Sequence, residues 1–424
     1  MSTILPALSP QLRAWRWRIF ASTWLCYAGY YFCRKPFYIA KASLGRELEF
    51  DATSLGYIGA AYLLTYAVGQ FVSGALGNRT GPRALLLGGM TLSIAANVGF
   101  GSVNSFGTFL LLMALNGFAQ STGWSGGVGT MASWFRRRER GTVMGFWATN
   151  FQVGGVAANT LASWALGELG YRYSFFTGAL VLLGVQVFFV FHQRNKPQDV
   201  GLPALDDPDE PKDDRSETDT GSGLTRAAWV NVLLVGLFYF FVKFIRYAVW
   251  SWAPFVLERN FHLKGSDAGY LSTSFDLAGI AGVIVTGLLS DRLFKGRRAG
   301  ISLLMICLML ASCVLLYVSG GVSATLFGIC LGLVGFTLYG PDALMSGAGA
   351  MDVGGRRGAV MAAGVINGMG SVGSIMQELL IGRMYDKSGG ALEPIFFMLM
   401  SVSAAALVCI GVVYARNRMG KSDV

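Results

Sequence analysis

The stretch Tyr30-Tyr31-Phe32-Cys33-Arg34-Lys35-Pro36-Phe37 puts two adjacent cations inside an apolar segment running from about Ile19 to Ala40. An unpaired cation near a bilayer centre costs roughly 2.5–3.5 kcal/mol on insertion scales, so such residues face a water-filled cavity or a partner. Arg34 lies roughly 22 Å along a helix that starts at Ile19, too deep to snorkel back to that interface. The segment therefore predicts a membrane-spanning helix with an anion-binding position part-way along it. It is too long for a signal-peptide core and no small-residue cleavage site follows, so it is expected to remain as the first span.

The rest of the chain has the same character. Its 424 residues are 53% hydrophobic and only 14% charged, with a mean hydropathy of +0.49, which excludes an ordinary soluble domain. Twelve apolar stretches are long enough to cross a roughly 30 Å hydrocarbon core as helices. The first is expected to end near Lys41, and the others to cover about 54–76, 84–103, 109–133, 142–166, 174–191, 229–257, 268–289, 301–318, 324–347, 359–382 and 394–414. The one long polar segment, 195–226, is rich in Asp, Glu, Pro, Ser and Gly and too poor in apolar residues to fold alone. It divides the chain into a six-helix half at 1–194, a cytoplasmic linker and a second six-helix half at 227–424.

A net charge of +10 would suggest nucleic acid in a soluble protein, but the basic residues are placed for topology. With the amino terminus inside, most Lys and Arg fall in inward-facing segments, and Arg13, Arg16 and Arg18 alternate with Trp15 and Trp17 as at a cytoplasmic interface. Both termini are then cytoplasmic. All six cysteines (Cys26, Cys33, Cys307, Cys313, Cys330 and Cys409) lie in expected spans, without spacing for a metal or disulfide framework. Neither a metal nor a cofactor is expected.

The halves repeat one another. Tyr57 to Arg79 lies over Tyr270 to Arg292 without a gap, with Gly69 on Gly282, Gly74 on Gly287, Leu76 on Leu289, and Asn78-Arg79 on Asp291-Arg292. Arg140-Gly141-Thr142-Val143-Met144 likewise matches Arg357-Gly358-Ala359-Val360-Met361, which brings Asn150 onto Asn367. Two parallel six-helix repeats are a transporter plan, with the substrate site between the repeats near the midplane.

Each half also carries a buried arginine, because Arg34 precedes Tyr57 at nearly the spacing by which Arg246 precedes Tyr270. Two guanidinium forks projecting into a central cavity suit phosphate oxygens, and Lys35 and Lys243 add more positive charge than one carboxylate needs. The carboxylates within spans are Asp276, Asp342 and Glu378, so these four cations face three anions. Pairing for structure alone is the competing reading. Lys35 and Asp276 make the most plausible internal pair, one that would bridge the halves.

At Tyr30-Tyr31-Phe32-Cys33-Arg34-Lys35, Asn116-Gly117-Phe118-Ala119-Gln120-Ser121-Thr122-Gly123-Trp124, Phe244-Ile245-Arg246-Tyr247 and Tyr339-Gly340-Pro341, the chain resembles the organophosphate:phosphate antiporters of the major facilitator superfamily. The resemblance covers essentially the whole chain. It implies an all-α membrane protein of twelve transmembrane helices, with phosphate held by Arg34 and Arg246, Tyr31 and Tyr339 contributing, and Lys35 with Asp276 as a gating pair. The candidate substrate-binding set is Arg34, Arg246, Tyr31, Lys35, Lys243, Tyr339, Gln120, Phe151, Asn150 and Asn367. Asn78, Arg79, Asp291 and Arg292 resemble the superfamily's cytoplasmic loop motif, Asn78 standing where aspartate is usual. The bacterial glycerol-phosphate exchanger has histidine at the place of Phe151, lysine at Gln70 and tyrosine at Lys243, so the wall facing the organic group is expected to differ.

The expected function is exchange of a phosphate ester, a sugar phosphate or glycerol 3-phosphate, for inorganic phosphate by alternating access. A hexose-phosphate sensor on the same fold and a proton-coupled exporter of another solute are the alternatives. His192 and His262 lie outside the spans and offer no intramembrane proton relay, although Asp276 or Glu378 could titrate. No phosphate-binding glycine loop follows a strand, which argues against ATP-driven transport, and no enzymatic activity is expected. The expected partners are the phosphate ester, inorganic phosphate and the lipid bilayer, with no nucleic acid, for a monomer. A bacterial inner membrane is expected, with an organellar membrane left open.

Overall fold

Short polar residues, prolines and glycines set the helix boundaries. Ser9, Asp51, Ser105 and Ser323 each accept from a backbone N–H in the first turn of the helix that follows. Gly81 (φ +81°) and Gly170 (φ +91°) turn the chain between consecutive helices within a single residue, in a conformation that a side chain would oppose. The computed structural model describes residues 9–420 apart from 137–138, 140–142, 145, 204–225, 293–297 and 347–349. The side chains at 74, 75, 78, 227, 291, 292, 350–361 and 363 also lie outside the description.

Among the described residues there are fourteen α-helical segments. They are α1 (Pro10–Phe32), α2 (Lys35–Glu47), α3 (Ala52–Thr80), α4 (Pro82–Ser102), α5 (Phe106–Gln120), α6 (Thr122–Trp134) and α7 (Thr149–Leu169). Then follow α8 (Tyr171–His192), α9 (Arg226–Arg259), α10 (Gly265–Arg292), α11 (Arg298–Ser319), α12 (Ala324–Leu344), α13 (Ala350–Lys387) and α14 (Glu393–Arg418). They correspond to the twelve expected spans, two of which are broken. The first span does not end near Lys41. It breaks at Cys33–Arg34 and resumes as α2 to Glu47, because Pro36, in the first turn of α2, has no N–H to bond back to Phe32. The fourth breaks at Ser121, where Ser121 Oγ and Thr122 Oγ1 donate back to the Phe118 and Ala119 carbonyls at 2.6 and 2.8 Å.

Eight of the described helices are long and apolar enough to cross a bilayer on composition alone. Of the other four expected spans, two are the broken ones, α7 dilutes its apolar residues with glycine and with Asn150, Gln152 and Asn159, and the one in α13 begins among residues outside the description. Large apolar side chains nonetheless face outward along the helices, with Phe71 at 82%, Val318 at 72% and Leu111 at 69% exposure, as a lipid-facing surface requires. The six cysteines are free, and all but Cys307 are buried.

Among the described residues, polar contacts between the first eight helices and the last six lie at Lys35–Asp276 in the middle of the bundle and at one of its ends. There α3 packs on α13, α7 on α10, and α2 on both α9 and α10. Arg46 pairs with Glu258, Arg259 Nη2 donates to the Ala42 carbonyl at 3.4 Å, and Asn159 Nδ2 donates to the Gly269 carbonyl and to Thr273 Oγ1 at 2.7 Å each. Asp386 accepts from the Ala52 and Thr53 backbone at the start of α3 at 3.1 and 2.7 Å. The approach is close enough that a Cβ on Gly56 would lie 2.5 Å from the Glu378 carbonyl oxygen. At the opposite end, the polar contacts among the described residues include ones within each set of helices. Arg16 binds Glu139 through Nη1 and Nη2 at 3.3 and 2.6 Å, and Arg416 Nε donates to Asn231 Oδ1 at 2.8 Å. The start of the expected linker is ordered against this end. Trp134 Nε1 donates to the Arg194 carbonyl at 3.0 Å, Asn195 Oδ1 accepts from the Arg83 backbone at 2.8 Å, and 197–200 form a 3-10 turn.

Candidate functional site

The break in the first span positions the site. It turns Arg34 out of the helical hydrogen-bond ladder midway across the bundle, opposite Arg246 near the middle of α9. Between them is a cavity of about 490 Å³, including the space through which it opens to solvent. Tyr31 and Arg34 line it from the first span, Phe151, Gln152 and Gly155 from α7, Arg246, Tyr247 and Trp250 from α9, Asp276 from α10 and Tyr339 from α12.

The two arginines are held differently. Arg34 Nε donates to Gln120 Oε1 at 3.0 Å, and its guanidinium carbon lies 4.7, 5.2 and 5.3 Å from the ring centres of Tyr31, Tyr62 and Tyr66. Among the described residues it has no carboxylate partner. Arg246 Nη1 instead donates to Asp342 Oδ2 at 2.6 Å, with the Tyr339 ring 4.7 Å away. Both guanidinium groups thus sit on aromatic faces that favour a cation without neutralising it.

Lys35 and Asp276 bridge the two sets of helices at 3.4 Å. The other oxygen of Asp276 accepts from Tyr339 OH at 2.6 Å, and Lys35 Nζ lies 4.0 Å above the Trp250 ring. Lys243 lies outside the cavity lining, with Nζ 5.1 Å from the Tyr239 ring. Counting Lys35, Lys243 and Asp342, which stand behind the lining, four cations and two carboxylates surround the cavity among the described residues, an excess of two positive charges.

Several sequence expectations need correction. Gln120 is not among the cavity-lining residues; it is wholly buried on α5, which packs on α3 and α4, and it reaches Arg34 Nε through its side chain. Asn150 is also wholly buried, on the α7 face turned away from the cavity, while its neighbour Phe151 lines it. Asn367 is exposed, and neither it nor Asn150 is among the residues lining the cavity. Glu378 is not an anion of the site. It is paired at 2.8 Å with Lys41, which lies inside the first span and not at its end, because α2 continues to Glu47. Gln152, Tyr247 and Trp250 line the cavity in addition to the expected residues. For Tyr247 and Trp250 the signal was available, since they follow Arg246 by one and four positions on a helix. Arg79 is exposed at the end of α3, and the side chains of Asn78, Asp291 and Arg292 lie outside the described residues.

The model of the Major Facilitator Superfamily matches residues 23–377. The chain belongs to this superfamily. Within it the chain groups with the organophosphate:phosphate antiporters. It is 30% identical over 416 residues to the glycerol-3-phosphate transporter of Bacillus subtilis (strain 168), covering 94% of this chain and 92% of that one. It is 27% identical over 412 residues to a probable hexose phosphate transport protein of Chlamydia pneumoniae, covering 93% and 90%. The membrane sensor protein UhpC of Escherichia coli (strain K12) is 26% identical over 408 residues, covering 94% and 91%. The fold matches a solved bacterial homolog of the human lysosomal transporter Spinster with a TM-score of 0.72 at 15% identity over 95% of both chains. This major facilitator protein is thus a multi-pass membrane protein of a transport family.

Proposed function

We propose that the chain exchanges a phosphate ester, a sugar phosphate or glycerol 3-phosphate, for inorganic phosphate by alternating access. The observation that carries this reading is the excess of two positive charges around one cavity between Arg34 and Arg246. A phosphate monoester near neutral pH carries about −1.5 to −2 and offers three acceptor oxygens to guanidinium forks. Relatives named as glycerol-3-phosphate and hexose phosphate transporters support the substrate class.

The same charge excess supplies the coupling. A site with two uncompensated cations must stay hydrated, so sealing it empty costs their desolvation. A bound dianion cancels the excess and lets the cavity close on both sides. Transit is then favoured only when loaded, which makes exchange obligatory. Binding also draws Arg246 from Asp342 and Lys35 from Asp276, and a ligand shifts the conformation only through such state-dependent contacts. The closed end holds the ends of α2, α7 and α9. With cytoplasmic termini in a bacterial inner membrane it is the outer end, and the cavity faces inward. In this reading residues 1–194 and 227–424 are the rocking halves of a monomer, and the segment between them is a cytoplasmic linker.

Likeness to UhpC makes a phosphate-ester sensor the second reading. Purified protein in vesicles separates the two. Labelled phosphate taken up against internal phosphate supports exchange, whereas tight ester binding with no uptake supports the sensor and refutes exchange.

A further inference from the structure

The break in the first span leaves the Cys33 carbonyl between two helices. Two buried amides take it, Asn97 Nδ2 at 3.0 Å and Asn116 Nδ2 at 2.7 Å. One turn beyond Asn116 on α5, Gln120 is wholly buried and uses its full hydrogen-bonding capacity. Its Oε1 accepts from Arg34 Nε at 3.0 Å and from Tyr62 OH at 2.9 Å. Its Nε2 donates to Ser93 Oγ at 3.1 Å and to Asn116 Oδ1 at 3.0 Å, and Ser93 Oγ itself donates to Asn116 Oδ1 at 2.6 Å. The orientation of the amide is fixed, because reversing it would set two donors against each other at Arg34 Nε.

We infer that Gln120, braced by Ser93 and Asn116, is a positioning residue that aims Arg34 at the phosphate. The inference rests on the phosphate reading given above. Gln120 holds the guanidinium by Nε, on the side away from the cavity, and leaves the two terminal nitrogens as the edge that can take a phosphate fork. It does so without charge. Arg246 shares its charge with Asp342, whereas a neutral amide fixes Arg34 and leaves its charge whole for the ligand. The polar layer on α4 and α5 thus serves geometry at Arg34, which of the two cavity arginines is the one without a carboxylate partner among the described residues.

Two near-isosteric variants separate this role from helix packing. Gln120→Glu keeps the acceptor for Arg34 and Tyr62 but introduces the charge that the native amide withholds. Gln120→Met keeps the bulk and releases Arg34. The purified full-length protein is titrated with inorganic phosphate and the rise in unfolding temperature is followed. Wild type is expected to be stabilised by phosphate. Gln120→Met should need about tenfold more phosphate for half of that rise, and Gln120→Glu more still. A packing role would lower the phosphate-free unfolding temperature and leave the half-rise concentration in place. That result, for either folded variant, overturns the inference and leaves the phosphate reading standing. If neither variant folds, Ser93→Ala loosens the amide from behind and should raise the half-rise concentration about threefold; no change overturns the inference. Wild type that phosphate does not stabilise removes the functional reading, and the inference falls with it.

Discussion

Lys41 Nζ donates to Glu378 Oε2 at 2.8 Å where both side chains are entirely shielded from solvent, so one buried ion pair ties the first span to α13 across the closed end. Ser251 completes a triad. It accepts from Lys41 at 2.6 Å and donates to the second oxygen of Glu378, and the Trp252 ring lies 3.9 Å from the ammonium. Opening this end would separate the two charges into water, where each is well solvated. In the alternating-access reading proposed above, the pair would hold this end closed through charges that opening does not strand.

Removing one partner strands the other in that closed state. Lys41→Met or Glu378→Leu should each destabilise the protein by about 3–5 kcal/mol, while the double variant recovers most of the loss. Thermal unfolding in detergent, analysed as a double-mutant cycle, measures the recovery. Additive losses would mean that the charges are not coupled.

At the opposite end, burial pushes the Glu139 carboxyl up, but the hydrogen bond and charge of Arg16, with the Arg136 backbone N–H and charge, outweigh it and hold the group below its ordinary value. A depressed carboxylate contributes stability above its unfolded pKa and loses it as pH falls through the lower folded value. Glu139→Gln should therefore lower the unfolding temperature at pH 7, and the difference from wild type should shrink as pH falls below about 4.3 and vanish once the folded carboxyl is protonated. A difference independent of pH would rule out the charge as its source.

The general plan was legible in the sequence because bilayer physics writes it plainly. Length, hydropathy and the register of Tyr57 to Arg79 over Tyr270 to Arg292 are enough for twelve spans, and these residues form α3 and α10. The two arginines were legible as charges out of place. Their partners were not, because a helix break moves side chains in ways that spacing does not record. Pro36 marked the break but not its consequence, which is that Gln120 grips Arg34 from behind. Lys41 was hidden by the same break, since the first span was expected to end where α2 in fact continues to Glu47.

Phe151, Gln152 and Trp250 form the wall beside the arginines, where the organic part of an ester would lie. Phe151→Ala or Trp250→Ala should shift the relative ability of different phosphate esters to compete with phosphate by about tenfold, with phosphate self-exchange retained. Competition assays with a panel of esters measure this. An unchanged order and spacing of inhibition constants would place the organic group elsewhere.

An ammonium cannot reproduce a planar fork, so Arg34→Lys and Arg246→Lys should each abolish exchange in a protein that still elutes as a folded species in detergent. The Arg34 variant is expected to lose phosphate binding the more completely, because Asp342 already shares Arg246. Full transport by either would remove that arginine from the site.

The most direct test is uptake of labelled phosphate into proteoliposomes holding the wild-type protein, loaded inside with phosphate, with a phosphate ester, or with neither. Uptake should be rapid in both loaded preparations, negligible in the empty one, and indifferent to an imposed proton gradient. Equal uptake into empty vesicles, or uptake that appears only with a proton gradient, would contradict obligatory phosphate exchange.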